Sequence, residues 1–158
     1  WNGHGVPKPT PVGEVWAFNK HFTQYVPLSI LDLQHWLGMP TIYVFDCNGA
    51  GHLVNAMHQY SSERHKEGCL VLGACQANET LPVNPVYSAD AFTACLSQPV
   101  QSALKWGCTR SKLCPTPEVT EVPGALTDRS TPLGALNWIF TAVTDAIAWS
   151  ALPRDLFR

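Results

Sequence analysis

Residues 41–51 read TIYVFDCNGAG, and this stretch decides the fold class of the chain. Its first five residues are all β-branched or aromatic, which is typical of a central parallel strand covered on both faces. The next six residues are small or polar and predict a turn, followed by a helix from about His52 to His65. A buried strand that turns directly into a helix is the repeating unit of α/β proteins.

The rest of the chain predicts further strands and helices in alternation. Ser29 is a plausible N-cap and Gly38 a stop for the first helix, and Pro27 should end the strand before it. The other predicted elements are strands at 14–18, 22–26 and 69–74, helices at about 89–96, 99–106 and 132–149, and an exposed connection at 108–131. This order predicts one α/β domain over residues 1–158, with a parallel sheet and helices on both faces.

Charge is scarce in this sequence. The 158 residues include 12 acidic and 10 basic side chains, for a net charge of -2, which excludes a nucleic-acid binder that works by bulk charge. Charged residues make up 14% of the chain, against about 25% in an average soluble domain.

The apolar stretch at 133–149 is the longest candidate for a membrane span. It only reaches the lower length limit of such a span, and it contains the polar residues Asn137, Thr141, Thr144 and Asp145. We therefore predict a buried helix and no membrane insertion.

Six cysteines, an even number, leave open a secreted α/β domain stapled by disulfides. No two of them form a Cys-x-x-Cys pair, so a zinc ribbon is not indicated. Cys69, Cys75 and Cys95 lie in apolar runs, where a free thiol packs as a small hydrophobe. We therefore favour reduced cysteines and an intracellular location. The six are Cys47, Cys69, Cys75, Cys95, Cys108 and Cys114.

Two segments are predicted at the carboxyl ends of strands, where sites form in α/β sheets. They are residues 2–5, NGHG, and residues 46–51, DCNGAG. His4 precedes Cys47 by 43 positions, against about 50 between the histidine and cysteine of caspases. The layout fits a Cys-His peptidase. We favour the plainer interpretation, in which His4 anchors its loop, Cys47 is an inert buried thiol and Asp46 caps the next helix rather than orienting His4.

Several blocks resemble the N-terminal caspase-like region of the Raptor family, the scaffold subunits of the TOR kinase complex 1. They are NGHGVP at 2–7, GEVW at 13–16, YVPLS at 25–29, VFDC at 44–47, PLGALNWIFTA at 132–142 and LPRDLF at 152–157. The resemblance implies a caspase-like parallel-sheet sandwich with helices on both faces. It also implies that the chain is a fragment that lacks the first strands of that domain.

The resemblance places the nucleophile of active relatives at Asn48, so Cys47 lies one residue too early. Because side chains alternate faces along an extended backbone, this offset points Cys47 to the other side of the sheet. We therefore expect a degenerate dyad at His4, Cys47 and Asn48, with no catalytic residue, no cofactor and no metal site. An active caspase-like cysteine peptidase that uses His4 and Cys47 is the alternative.

The resemblance also implies a function. The domain would be a non-catalytic scaffold that binds TOR kinase and presents substrates bearing a TOR signalling motif, with Rag GTPases as partners of the full-length protein. It would be cytoplasmic and recruited to the lysosomal or vacuolar surface. The last helix is apolar around most of its circumference, which predicts burial on more than one side, either partly against another domain or protein or under the missing N-terminal strands. The candidate partner-binding residues are Leu136, Trp138, Ile139, Phe140 and Trp149.

Overall fold

The computed structural model describes residues 1–82, 90–110 and 122–151. It divides into two compact units, Trp1–Pro85 with Asp90–Phe92 and Val86–Ala89 with Thr93–Arg158. The grouping of both units into one domain stays a prediction. The described elements are β1 Glu14–Phe18, β2 Tyr25–Ser29, α1 Ile30–Leu37, β3 Thr41–Phe45, α2 Gly51–Tyr60, α3 Glu63–Gly68, β4 Cys69–Gly73, α4 Ala91–Ser97, α5 Pro99–Arg110 and α6 Pro132–Ala151. The predicted α/β class is confirmed.

A parallel pair of strands positions the candidate site. β3 and β4 run in register from Thr41 opposite Cys69 to Phe45 opposite Gly73. The first three residues of the chain continue the sheet on the other side of β3. The backbone nitrogen of Trp1 donates to the carbonyl of Val44 at 2.7 Å, and that of Gly3 donates to the carbonyl of Asp46 at 2.9 Å. The segment that carries His4 is therefore fixed beside the carboxyl end of β3.

The core of the first unit lies between the parallel pair, α1 and α2. Ile30 and Leu53 are completely buried, and Tyr43 and Phe45 pack into the same cluster from β3. Burial of a side chain such as Leu53 contributes about 1.5–3 kcal/mol. Only one face of β3 is enclosed in this way, because Ile42 on the other face is 65% exposed and Leu72, opposite Val44 on β4, is 47% exposed. The expectation of two covered faces therefore holds only for the face of Tyr43 and Phe45.

The strands before α1 differ from the prediction. β1 and β2 form an antiparallel hairpin and are not part of the parallel pair. β2 begins at Tyr25 because the side chain of Asn19 accepts hydrogen bonds from the backbone of His21 and Thr23, which places these residues in the turn. Pro27 lies inside the strand, opposite Trp16. A two-stranded hairpin has free edges, where proline is tolerated.

The helix predicted over 52–65 is interrupted. Ser61 ends α2 with an extended backbone, and its side chain exchanges hydrogen bonds with the buried side chain of Gln34 at 2.6 and 3.0 Å. This tertiary contact draws Ser61 out of the helical path, and α3 starts afresh at Glu63.

The helix boundaries that are set by capping residues agree more closely with the sequence prediction. Ser29 accepts a hydrogen bond from the backbone of Leu31, and Gly38 ends α1 with a φ of 71°. α5 runs on to Arg110, into the predicted exposed connection, whose residues 111–121 lie outside the described part of the chain. α6 begins with Pro132 and is capped by Thr131, whose hydroxyl accepts from the backbone of Gly134 at 3.2 Å. Of the helices described, none combines the length and apolar character needed to cross a bilayer.

Candidate functional site

His4 is held in place by a loop at the carboxyl end of β3. Its backbone nitrogen donates to the side chain of Asn2 at 3.2 Å. Its Nε2 atom lies 3.0 Å from Oδ1 of Asp46 and 3.0 Å from Oδ2 of Asp90. The side chain of His4 is 34% exposed, whereas those of Asp46 and Asp90 are 12% and 8% exposed. The two segments singled out by the sequence thus meet through His4 and Asp46.

Cys47 belongs to the core rather than to a cleft. The residue is 0% exposed and packs within the hydrophobic cluster of the first unit. Burial, followed by the negative charges of Cys75 and Asp46, raises the pKa of the Cys47 thiol from 9.0 to about 12. Because the thiolate is the reactive form of cysteine, a thiol with this pKa is protonated and unreactive near neutral pH.

Asn48 stabilises the turn that follows β3. Its Oδ1 accepts a hydrogen bond from the backbone of Leu81 at 2.7 Å. Next to it, Gly49 has a φ of 67°, and its backbone nitrogen donates to the carbonyl of Glu79 at 2.9 Å. The side chain at the position implied for a nucleophile is therefore occupied in fixing residues 79–81 to the turn.

A polar cleft lies beside this turn, at the start of α2 and the end of β4. Its volume is about 760 Å³, and its lining includes Asn55, Gln76, Asn78 and Glu79. The thiol of Cys75 borders the cleft and donates to the carbonyl of Cys47 at 3.4 Å. Neither His4 nor Cys47 lines the cleft, so the cleft and the predicted dyad are separate features.

Asp90 is the member of this site that the sequence did not reveal. It follows Cys47 by more than 40 positions and belongs to no recognisable motif, so only tertiary structure brings its carboxylate to His4.

The other cysteines lie in different environments. Cys69 is buried, Cys75 is partly buried and Cys95 is exposed, and all three carry free thiols. The apolar run around Cys95 therefore did not predict its burial, and Cys114 lies outside the described residues.

The candidate partner-binding residues lie on α6. Trp138, Ile139 and Trp149 are 51%, 52% and 64% exposed, and Leu136 and Phe140 are partly buried. The guanidinium of Arg129 lies 5.1 Å from the centre of the Trp138 ring. Val143 and Ile147 are 53% and 60% exposed. With Ile139 they recur every four residues, which places the three on one helix face. The sequence alone does not separate this stripe from the other apolar residues of the helix.

A parallel strand pair with a histidine loop and a cysteine turn at its carboxyl end defines an α/β fold, the class expected from the resemblance to caspase-like proteins. Residues 1–57 match the family model described as the Raptor N-terminal CASPase like domain. The whole chain is 52% identical to the regulatory-associated protein of TOR 2 of Oryza sativa subsp. japonica and covers 12% of its length. It is 44% identical to the target of rapamycin complex 1 subunit mip1 of Schizosaccharomyces pombe, again over the whole chain, and covers 14% of that protein.

Structural comparison agrees with these relatives. The crystal structure of Chaetomium thermophilum Raptor matches 99% of the chain with a TM-score of 0.80 and 48% identity, and the match covers 16% of that chain. Over its whole length this chain is therefore similar to Raptor proteins. It spans about an eighth of the length of the two curated relatives that it matches.

Proposed function

We propose that this chain is a non-catalytic scaffold domain of a TOR complex 1, in which it helps to recruit substrates and present them to the kinase. The names of the relatives from rice and fission yeast support a role in that complex. The observation that carries the non-catalytic part is the complete burial of Cys47. In this proposal both compact units form one caspase-like domain.

The environment of Cys47 argues against peptidase chemistry. Attack on a peptide carbonyl requires a thiolate in contact with substrate and a base within hydrogen-bond reach. Cys47 is enclosed and its pKa is raised to about 12. Nε2 of His4 lies against Asp46 and Asp90, and the amide of Asn48 is not a nucleophile. The degenerate dyad therefore serves the structure of the turn.

Thiol labelling of the native full-length protein tests this part of the proposal. Iodoacetamide at neutral pH should modify the exposed Cys95 and leave Cys47 unmodified until the protein is unfolded. His4→Ala should not change the labelling of Cys47. Peptide mass mapping measures both sites. Rapid labelling of Cys47 that is lost in His4→Ala would show an active dyad and support the peptidase alternative.

The proposed partners are those that the similarity to these relatives implies. The proposal includes TOR kinase, substrates with a TOR signalling motif and, through the full-length protein, Rag GTPases. It places the protein in the cytoplasm, with recruitment to the lysosomal or vacuolar surface as part of the complex. Neither a cofactor nor nucleic acid is required for this role, and the net charge of -2 gives no general attraction for nucleic acid.

α6 is the proposed contact surface. Trp138 and Trp149 are more than half exposed, and aromatic side chains often dominate the binding free energy of an interface. The stripe of Ile139, Val143 and Ile147 extends this apolar surface along two turns of the helix. Exposed apolar residues at this density favour a protein partner over contact with water.

Co-purification with TOR kinase tests the surface. Trp138→Ala together with Ile139→Ser in the full-length protein should reduce the kinase recovered at equal bait level by about tenfold or more, as expected for the loss of a central anchor. Thr144→Ala is the matched control, because Thr144 is exposed on α6 and its hydroxyl donates to the carbonyls of Phe140 and Thr141 within the helix. Equal recovery with both variants would exclude this part of α6 from the interface.

A further inference from the structure

Three metal-ligating side chains converge on one point at the end of β3. Nε2 of His4 lies 3.0 Å from a carboxylate oxygen of Asp46 and 3.0 Å from one of Asp90. All three atoms lie within 4.8 Å of one another. The residues come from three separate segments, the N-terminal loop, the end of β3 and the residue before α4.

His4 contacts two acceptors through one ring nitrogen. A ring nitrogen carries at most one hydrogen, which cannot point straight at two acceptors. Two carboxylates within 4.8 Å of each other also repel, and both are mostly shielded from water. A cation placed among the three atoms would be attracted by both carboxylates and would accept the lone pair of the ring nitrogen.

We propose that His4, Asp46 and Asp90 form a binding site for a divalent transition-metal ion of the Zn²⁺ type. Zinc binds imidazole nitrogen and carboxylate oxygen at about 2.0–2.2 Å, so tetrahedral ligands lie about 3.3 Å apart. The two observed 3.0 Å separations need to widen by a few tenths of an ångström, and the two carboxylate oxygens, which lie within 4.8 Å of each other, would settle at the same spacing around the ion. The imidazole ligand favours such a metal over Mg²⁺ or Ca²⁺, which prefer sites made only of oxygen.

The surrounding contacts hold each ligand in position. Oδ1 of Asp90 accepts a hydrogen bond from the backbone of Phe92 at 2.8 Å, which leaves Oδ2 directed at His4. The backbone of Asp46 is bonded on both sides to the N-terminal segment, to Trp1 at 3.0 Å and to Gly3 at 2.9 Å. Such outer contacts orient metal ligands and tune their affinity. The 34% exposure of His4 gives an ion access from solvent and leaves a fourth position for water.

Cobalt substitution tests the site independently of any activity. The full-length protein is stripped with chelator and titrated with Co²⁺, whose visible absorption reports the ligands, and bound Zn²⁺ is counted by elemental analysis. The wild type should bind one more equivalent of Co²⁺ than the His4→Gln variant. Its bound Co²⁺ should show the visible absorption bands of tetrahedral nitrogen and oxygen ligation. Asp90→Asn should weaken binding at this site by about tenfold or more.

The controls keep the outcomes distinct. His35→Gln should behave as the wild type, because His35 is exposed on α1 outside the cluster. His4→Gln is the decisive variant, since it replaces a partly exposed loop residue and should leave the circular dichroism spectrum unchanged. Zn²⁺ should also raise the unfolding temperature of the wild type more than that of His4→Gln.

Two results would overturn the proposal. The first is equal stoichiometry and equal thermal shift in the wild type and His4→Gln, which would mean an adventitious ion only. The second is a sulfur-to-cobalt charge-transfer band that disappears in His4→Gln, which would assign a cysteine to the ligand set. Either result would leave the proposed scaffold function untouched, because that function rests on Cys47 and on the relatives.

Discussion

The burial of Cys47 makes the stability of the folded chain depend on pH. The pKa of its thiol is raised from 9.0 to about 12 in the folded chain. The folded state therefore holds this proton more tightly than the unfolded state. The resulting stability is fully present below pH 9 and is lost as the pH rises towards 12, at up to about 1.4 kcal/mol per pH unit.

Cys47→Ala should remove this dependence. Between pH 9 and about 11, the free energy of unfolding should fall less steeply with pH in the variant than in the wild type, although the variant is less stable at pH 7. Urea denaturation at a series of pH values measures the slopes. Cys95→Ala is the control and should keep the wild-type slope, because Cys95 is exposed. Equal slopes for wild type and Cys47→Ala would contradict the prediction.

The pKa of Asp128, on an exposed loop, is shifted in the opposite direction, downwards. The side chain and the backbone nitrogen of Ser130 both donate to its Oδ1, at 2.7 and 2.9 Å, and these hydrogen bonds hold the pKa of Asp128 below its ordinary value of 3.8. Ser130→Ala removes the stronger of the two and should move the pKa upwards. Carbon-13 NMR titration of the carboxyl measures it, with Ser97→Ala as a control that leaves Asp128 alone. An unchanged pKa in Ser130→Ala would refute the assigned cause.

At the level of elements, the sequence predicts the ends of strands and helices correctly where nearby residues determine them. The bounds of β1 and β3 and both ends of α1 agree with the prediction, because β-branched runs, the Ser29 cap and the Gly38 stop act within a few residues. The break at Ser61 depends on Gln34, which is 27 positions away. Asp90 joins the site through a contact with His4 at still greater separation. Neither leaves a periodic or compositional trace in the sequence.

Gly13 is an element-scale position where the backbone and the packing both require glycine. Its φ is 85°, and an added Cβ would lie 2.4 Å from Cβ of the buried Ala56. Gly38 has a similar φ of 71° but open space around it. Gly13→Ala and Gly38→Ala should share a backbone cost of about 1–3 kcal/mol, and Gly13→Ala should lose about 1–3 kcal/mol more from the overlap.

Chemical denaturation of the two glycine variants separates the backbone cost from the cost of the overlap with Ala56. The difference between their free energies of unfolding reports mainly the contact with Ala56, since both residues have a positive φ. Similar losses would show that α2 moves away from the turn at little cost. Such a result would mean that the contact between this turn and α2 does not constrain the hairpin.

At the scale of the whole molecule, a low charge content coincides with a high apolar exposure. Charged residues are 14% of the chain, while Ile139, Val143 and Ile147 are each more than half exposed on α6. Such a surface favours self-association of the isolated chain unless a partner covers it. The proposed contact of α6 with the TOR complex gives these residues a role that the fold of the chain alone does not.

Replacing these three residues by glutamine should therefore improve solubility without loss of stability. Surface substitutions usually change the free energy of unfolding by no more than about 0.5 kcal/mol each, and glutamine maintains helix propensity. Light scattering of the 158-residue chain should fall, whereas Leu53→Ala, at a completely buried position, should lose about 2–5 kcal/mol without reducing scattering. If the triple variant instead loses as much stability as Leu53→Ala, the stripe belongs to an internal core and α6 is not an interface.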